Sequence, residues 1–173
     1  MFSSCGQVFQ SVSTFLDEVV ERSLVQVLIF SFAFASVWSK LVFDSYLTVA
    51  VIAVEALGIQ STFLYSEVTE AEFKIFDVVF FAPLVETLIF QGIVQNLVSR
   101  CFEFRVSLIV NILLFSMLHL VNDLSSFIGA IGSGVMLFLV YEHFRRKGKK
   151  VVGLVWVTLL HAFWNTSLLY SVL

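Results

Sequence analysis

Long apolar runs separated by short charged segments dominate the sequence, and they constrain the fold more than any other feature. Lipid offers the backbone no hydrogen-bond partners, so only α-helices and closed barrels span a bilayer. The runs lack the alternating polar pattern of barrel strands, which favours helices. With 59% hydrophobic and 13% charged residues, the chain differs from soluble domains, which are about half apolar and roughly a quarter charged. The sequence therefore predicts an all-α, polytopic membrane helix bundle.

The apolar runs predict about six transmembrane helices within one membrane domain that covers residues 24–173. The predicted spans, in chain order, are approximately 24–38, 41–59, 74–98, 106–121, 126–141 and 151–173. Residues 1–23 mix apolar and acidic side chains, which predicts an amphipathic lead-in at the membrane interface. Nothing basic or aromatic is arranged to bind nucleic acid.

The orientation of the bundle is predicted from the location of its basic residues. A dense cluster between Arg145 and Lys150, and the loop 100–105, fall on one side and are predicted to be cytoplasmic by the positive-inside rule. Lys40 is predicted on that same side. The acidic loop 60–73 and both termini are then predicted on the opposite side.

One carboxylate, Glu86, lies about halfway along the third predicted span. A carboxylate at this depth is costly unless it is hydrated or paired, so such residues usually face a bundle interior and mark a functional site. His119 and His161 lie within later spans at a comparable depth. Asn165 follows His161 by four residues, which places both on one face of a helix. These four residues are the candidate site.

The four side chains together favour one reaction. A partly desolvated carboxylate suits a general base that takes a proton from water, and a neighbouring imidazole can position that water. A second imidazole and an amide can donate hydrogen bonds to the oxygen that becomes negative in a tetrahedral intermediate. The combination predicts amide hydrolysis within the membrane. Taken singly, an intramembrane histidine is more often an interhelical hydrogen bonder than a catalyst, and Asn165 is compatible with the same role. Glu86 alone is compatible with a proton relay or an ion pathway.

Three short motifs resemble those of the CPBP intramembrane proteases, also called the CAAX protease and bacteriocin-processing, or Abi, family. The first family motif reads Glu-Glu-x-x-x-Arg, the second Phe-x-x-x-His and the third His-x-x-x-Asn. The matching residues are Pro83, Glu86, Phe90 and Gly92 for the first motif, Phe115 and His119 for the second, and His161 and Asn165 for the third. The resemblance covers residues 74–170, which we take as the catalytic core.

The resemblance implies a role for each matched polar residue. Glu86 corresponds to the glutamate that activates water, and His119 to the histidine that assists it. His161 and Asn165 correspond to the pair near the oxyanion. The resemblance also implies a glutamic protease that needs neither a metal nor another cofactor.

Two positions differ from the family pattern. Thr87 replaces the second glutamate and Gln91 replaces the arginine, so an acid and a base are lost together. The local charge stays balanced, which is consistent with a neutral hydrogen-bonding pair in place of an ion pair. We expect Thr87 and Gln91, with Phe90 and Phe115, to support the catalytic residues.

The resulting prediction is an intramembrane glutamic endopeptidase in the plasma (inner) membrane of a bacterium. Its partners are predicted to be the lipid bilayer and a membrane-associated peptide or protein, cut near a C-terminal tail. One alternative is a zinc-dependent membrane hydrolase with Glu86, His119 and His161 as ligands, although the His-Glu-x-x-His pattern is absent. Another is a non-proteolytic relative, such as a bacteriocin-immunity protein, a membrane binding protein or a proton-coupled transporter.

Overall fold

The computed structural model describes residues 2–43, 77–121 and 124–172, and its regular secondary structure in these ranges is helical, with no strand. The predicted all-α class is thereby confirmed. The helices, in chain order, are α1 Phe2–Glu21, α2 Leu24–Val37 with a π-helical extension Trp38–Phe43, α3 Asp77–Cys101, α4 Phe104–His119, α5 Leu124–Arg146 and α6 Lys150–Val172. The predicted loop 60–73 and nearly all of the predicted span 41–59 lie outside the described residues.

Two of the described helical segments are long and apolar enough to cross a membrane, namely Asp77–Cys101 and Ser126–Arg146. The segments Leu24–Lys40 and Phe104–His119 are apolar but shorter. The predicted number of spans stays a prediction.

The central element of the bundle is α5. Its residues from Met136 to Tyr141 are fully buried, so the helix is covered on all sides. Small residues on α5 allow its neighbours to approach closely. A Cβ on Gly132 would lie 2.6 Å from Cδ1 of Trp38 on α2, and a Cβ on Gly134 would lie 3.1 Å from Cδ1 of Phe115 on α4. Gly132 and Gly134 therefore serve helix packing.

The middle of α3 is π-helical, from Leu88 to Gln95. Such turns are wide and rare, and side-chain amides from two helices bind carbonyls of this stretch. Nδ2 of Asn111 on α4 donates to the Phe90 carbonyl at 2.8 Å, and Nδ2 of Asn96 donates to the Gly92 carbonyl at 2.8 Å. These bonds fix the part of α3 that follows Glu86.

The end of α1 is attached to the basic end of α5. The Arg146 guanidinium forms ion pairs with Asp17 and Glu21 of α1, and His143 Nδ1 donates to the Val20 carbonyl at 2.8 Å. The interfacial position predicted for residues 1–23 stays a prediction, but the contact with α5 identifies which end of the bundle this segment meets.

The direction of α2 differs from the predicted orientation. It begins where α1 meets the basic end of α5, and Trp38 near its other end donates from Nε1 to the Ile128 carbonyl at the far end of α5. Lys40 therefore lies at the end of the bundle opposite to the basic cluster, so the prediction that both share one side was wrong. The N-terminal segment likewise enters α2 from the basic end. The prediction for Lys40 applied the positive-inside rule to a single lysine, which is a weak signal. The ion pairs of Arg146 instead hold the end of α1, and with it the beginning of α2, at the basic end.

Candidate active site

Three helices bring the predicted acid and both imidazoles together. Glu86 on α3 places Oε2 3.6 Å from Nε2 of His161 on α6, and 4.0 Å from Nε2 of His119 at the end of α4. Both distances exceed a direct hydrogen bond and suit a single bridging water. The sequence-based prediction that these three side chains meet is therefore correct in geometry, and their catalytic roles stay predictions.

The backbone around Glu86 is unusual. A short α-helical segment, Ala82–Thr87, lies between the π-helical stretches Asp77–Phe81 and Leu88–Gln95, and buried Pro83 lies in its first turn. π-Helical turns inside longer helices are frequent at functional sites. The wide turns on either side set the direction in which the Glu86 carboxyl leaves α3.

His119 has a defined proton position. Its Nδ1 lies 3.0 Å from the Phe115 carbonyl, one turn earlier on α4. A carbonyl only accepts hydrogen bonds, so Nδ1 carries the proton. In the neutral ring, Nε2 is then free to accept a proton or a hydrogen bond, and Nε2 is the atom that faces Glu86.

An aromatic pair supports both imidazoles. The Phe115 ring is fully buried, and its centroid lies 4.8 Å from that of His119 and 5.8 Å from that of His161. Phe90 packs edge-on against Phe115 at 5.3 Å. The two phenylalanines expected to support the site thus contact each other, and Phe115 contacts both histidines.

Asn165 lies one turn beyond His161 on α6, as its spacing predicts. Its Nδ2 donates to the carbonyl of Val78, near the beginning of α3, at 3.0 Å. This bond ties α6 to the helix that carries Glu86. The proposed contact of Asn165 with an oxyanion stays a prediction.

Thr87 and Gln91 are fully buried in α3. The Thr87 hydroxyl and both amide atoms of Gln91 have no hydrogen-bond partner among the described residues. The sequence suggested that these two residues replace an ion pair with a direct hydrogen bond, and that suggestion was wrong. Their polar atoms are left available to another group.

The site opens through a cleft of about 280 Å³ that is lined by Glu86, Leu118, His119 and Val121. Leu118 and Val121 lie at the end of α4, away from the basic end of α5. The Glu86 side chain is 17% exposed and that of His161 only 3%. A molecule in the cleft therefore meets Glu86 and His119 first, with His161 behind them.

The zinc alternative requires Glu86, His119 and His161 as a ligand set. In the part of the chain that the structure describes, no group of three His, Cys, Asp or Glu side chains is arranged to hold a metal ion. The geometry therefore gives this alternative no support.

Sequence reasoning missed Asn111, whose amide binds the Phe90 carbonyl. Its signal was present, because it is a polar side chain inside the apolar run 106–121, as Glu86 is in its own run. No sequence pattern indicated that the Phe90 carbonyl would accept this bond, because its position depends on the π-helical turn.

Comparison with known proteins finds a matching family model. Residues 69–167, more than half of the chain, match a family model described as type II CAAX prenyl endopeptidase, Rce1-like. The matched region contains the third to sixth predicted spans almost entirely, and it includes Glu86, His119, His161 and Asn165. Neither a curated protein nor a solved structure matches the chain.

Proposed function

The chain belongs to the Rce1-like family of type II CAAX prenyl endopeptidases, and we propose that it is an intramembrane glutamic endopeptidase in which Glu86 activates water. The family is membrane-embedded and proteolytic. The observation that supports the mechanism is the position of Glu86 Oε2, which lies 4.0 Å from Nε2 of His119 and 3.6 Å from Nε2 of His161. A carboxylate between two imidazoles is suited to move protons to and from a water molecule.

The reaction is peptide-bond hydrolysis by one water. Glu86 accepts a proton from that water while the water oxygen bonds to the scissile carbonyl carbon. His119 accepts a hydrogen bond from the same water through Nε2, because the Phe115 carbonyl holds the proton on Nδ1. The tetrahedral intermediate then collapses, the carbon–nitrogen bond breaks, and the departing nitrogen takes the proton from Glu86.

The negative oxygen of the intermediate needs donors. His161 donates from Nε2 when that atom carries the proton, and removal of one such donor costs an enzyme about 10²–10³ in rate. Asn165 is the second donor in this proposal. Its amide nitrogen has two protons, and the bond to the Val78 carbonyl uses one of them.

The proposed substrate is a membrane-associated peptide or protein that is cut near its C-terminal tail. An apolar groove of about 630 Å³ lies between α2 and α6, and Leu160 and Phe163, which flank His161 in sequence, line it. An apolar tail in such a groove is held by van der Waals packing against its side chains, because association within lipid has no hydrophobic driving force. We place the enzyme in the plasma membrane of a bacterium as a multi-pass protein.

The proposal is tested with purified protein in lipid vesicles. The probe is a quenched fluorescent peptide that ends in a prenylated cysteine, two aliphatic residues and a variable residue, the sequence that prenyltransferases modify. A second probe has the same sequence with an unmodified apolar C-terminal tail. Cleavage of either probe, mapped by mass spectrometry and unchanged by EDTA, supports the proposal. If neither probe is cut, the result contradicts the proposal and favours a non-proteolytic family member.

A further inference from the structure

Three buried polar residues follow one another at four-residue intervals along α3. Thr87, Gln91 and Gln95 are all fully buried. In the wide π-helical turns of this stretch, a spacing of four residues is close to one turn, so the three residues lie near one face of the helix. We refer to these three residues as the polar stripe. The stripe begins beside Glu86 and runs towards the basic end of the bundle.

The polar atoms of the stripe are largely unpaired. The hydroxyl of Thr87, both amide atoms of Gln91 and Oε1 of Gln95 have no hydrogen-bond partner among the described residues. Buried polar groups in folded proteins are almost always hydrogen-bonded to protein or to internal water. Four such atoms along one helix face therefore point to a common polar ligand, and water is the one that suits both donors and acceptors.

The far end of the stripe meets a charged cluster. Nε2 of Gln95 donates to Oε2 of Glu142 on α5 at 3.1 Å. Glu142 is 1% exposed, and Arg145 and Arg146 both bind its carboxylate. The two arginine side chains are about a quarter exposed, at 23% and 25%. The stripe therefore joins the site to groups that reach the surface at the basic end.

We propose that the polar stripe is a hydrated path that supplies water to Glu86 from the basic end while substrate occupies the cleft. The inference rests on the proposed function, because hydrolysis consumes one water for each bond cut. A substrate that enters between Leu118 and Val121 covers Glu86 and His119, and it thereby closes the route by which bulk water reaches them. Neutral side chains suit such a path, since the hydroxyl of Thr87 and the amide of Gln91 bind water without holding a charge.

Gln91→Met tests the path, because methionine keeps the length of the side chain and removes its hydrogen-bonding atoms. The expected result is a fall in kcat of about tenfold or more with KM unchanged, since Gln91 is fully buried outside the cleft and the supply of an ordered water is what changes. Thr87→Val is nearly isosteric and is also expected to lower kcat. This variant takes the place of Gln91→Met in the test if Gln91→Met does not fold. Ser31→Ala is the matched control, because it removes another fully buried, unpaired hydroxyl on α2 and leaves kcat unchanged. A wild-type kcat in both stripe variants overturns the proposal.

Thermal unfolding of Gln91→Met gives an answer that needs no substrate. If the Gln91 amide is buried without any partner, its replacement by an apolar group of similar size raises Tm. If the amide binds water, Tm falls or stays the same, which is the expected result. A raised Tm overturns the hydrated path even if the enzyme cuts neither peptide, so failure of this inference is distinguishable from failure of the proposed function.

Discussion

His161 Nε2 lies 3.6 Å from Glu86 Oε2, while Nδ1 of the same ring is buried without a hydrogen-bond partner among the described residues. The imidazole is therefore directed at the carboxylate rather than engaged in a helix-to-helix hydrogen bond through its other nitrogen. This orientation supports the role proposed for His161.

Replacing His161 tests the oxyanion role. His161→Gln is expected to lower kcat by about 10²–10³ and to leave the fold intact, because the amide fills a similar space but does not place a donor at the same point. Steady-state cleavage of the prenylated peptide and circular dichroism check this. A folded His161→Gln protein with the wild-type kcat would remove His161 from the mechanism.

His119 is expected to matter through Nε2. His119→Gln should reduce kcat by about 10²–10⁴, the usual contribution of general acid–base assistance, because no imidazole Nε2 then faces Glu86. Met117→Leu is the control, since Met117 is on the same helix and its side chain is exposed. The prediction fails if both variants cut the peptide equally fast.

Gly134 and Gly132 form a matched pair on α5. A Cβ at Gly134 presses on Phe115, which contacts both histidines, so Gly134→Ala is expected to lower kcat about tenfold with a stability loss of about 1 kcal/mol. A Cβ at Gly132 would lie 2.6 Å from Trp38, so Gly132→Ala is expected to cost about 1–3 kcal/mol and to spare the kcat of the folded protein. Denaturation curves and kcat per folded molecule separate the two effects. Equal losses of kcat in both variants would contradict the role assigned to Phe115.

The Glu142 cluster is expected to stabilise the bundle more than the ion pairs on α1. Arg145 makes two hydrogen bonds of 2.6 Å to the buried Glu142 carboxylate, so Arg145→Gln is expected to lower the free energy of unfolding by about 3 kcal/mol. Glu21 is 61% exposed, and Glu21→Gln is expected to cost less than about 1 kcal/mol. Unfolding in denaturant measures the free energy of unfolding of both variants. A larger loss of stability for Glu21→Gln than for Arg145→Gln would contradict this prediction.

Asn165 has a measurable structural contribution. Asn165→Ala removes the hydrogen bond to the Val78 carbonyl and is expected to cost about 1 kcal/mol of stability. Because Asn165 is the proposed second donor to the oxyanion, kcat is expected to fall as well, whereas a purely structural role leaves the kcat of the folded enzyme unchanged. Parallel measurement of unfolding and cleavage distinguishes these roles.

The sequence was sufficient to predict that Glu86, His119 and His161 meet, because titratable side chains inside apolar runs are rare. Glu86, His119 and His161 each stood out from the surrounding apolar residues. Helical periodicity then gave the shared face of His161 and Asn165. The all-α class followed from the same apolar runs.

The rest of the structure depended on contacts that sequence patterns do not encode. The fifth span was predicted to end at Tyr141, yet α5 continues to Arg146, because Glu142 is buried by pairing with arginines and with Gln95. The direction of α2 followed from the ion pair between Asp17 and Arg146, which joins distant segments. The hydrogen bond from Asn111 to the Phe90 carbonyl depends on the π-helical turn, which the sequence did not predict.

Cleavage of the prenylated peptide by wild-type protein and by the Glu86→Gln variant, in the same vesicles, tests whether Glu86 is the general base. Glutamine keeps the shape of the side chain but accepts no proton from water, so we expect a folded protein that binds the peptide and does not cut it. Glu103→Gln, which changes an exposed carboxylate at the beginning of α4, serves as the control and should keep the wild-type rate. Cleavage by Glu86→Gln at the wild-type rate would contradict the assignment of Glu86 as the general base.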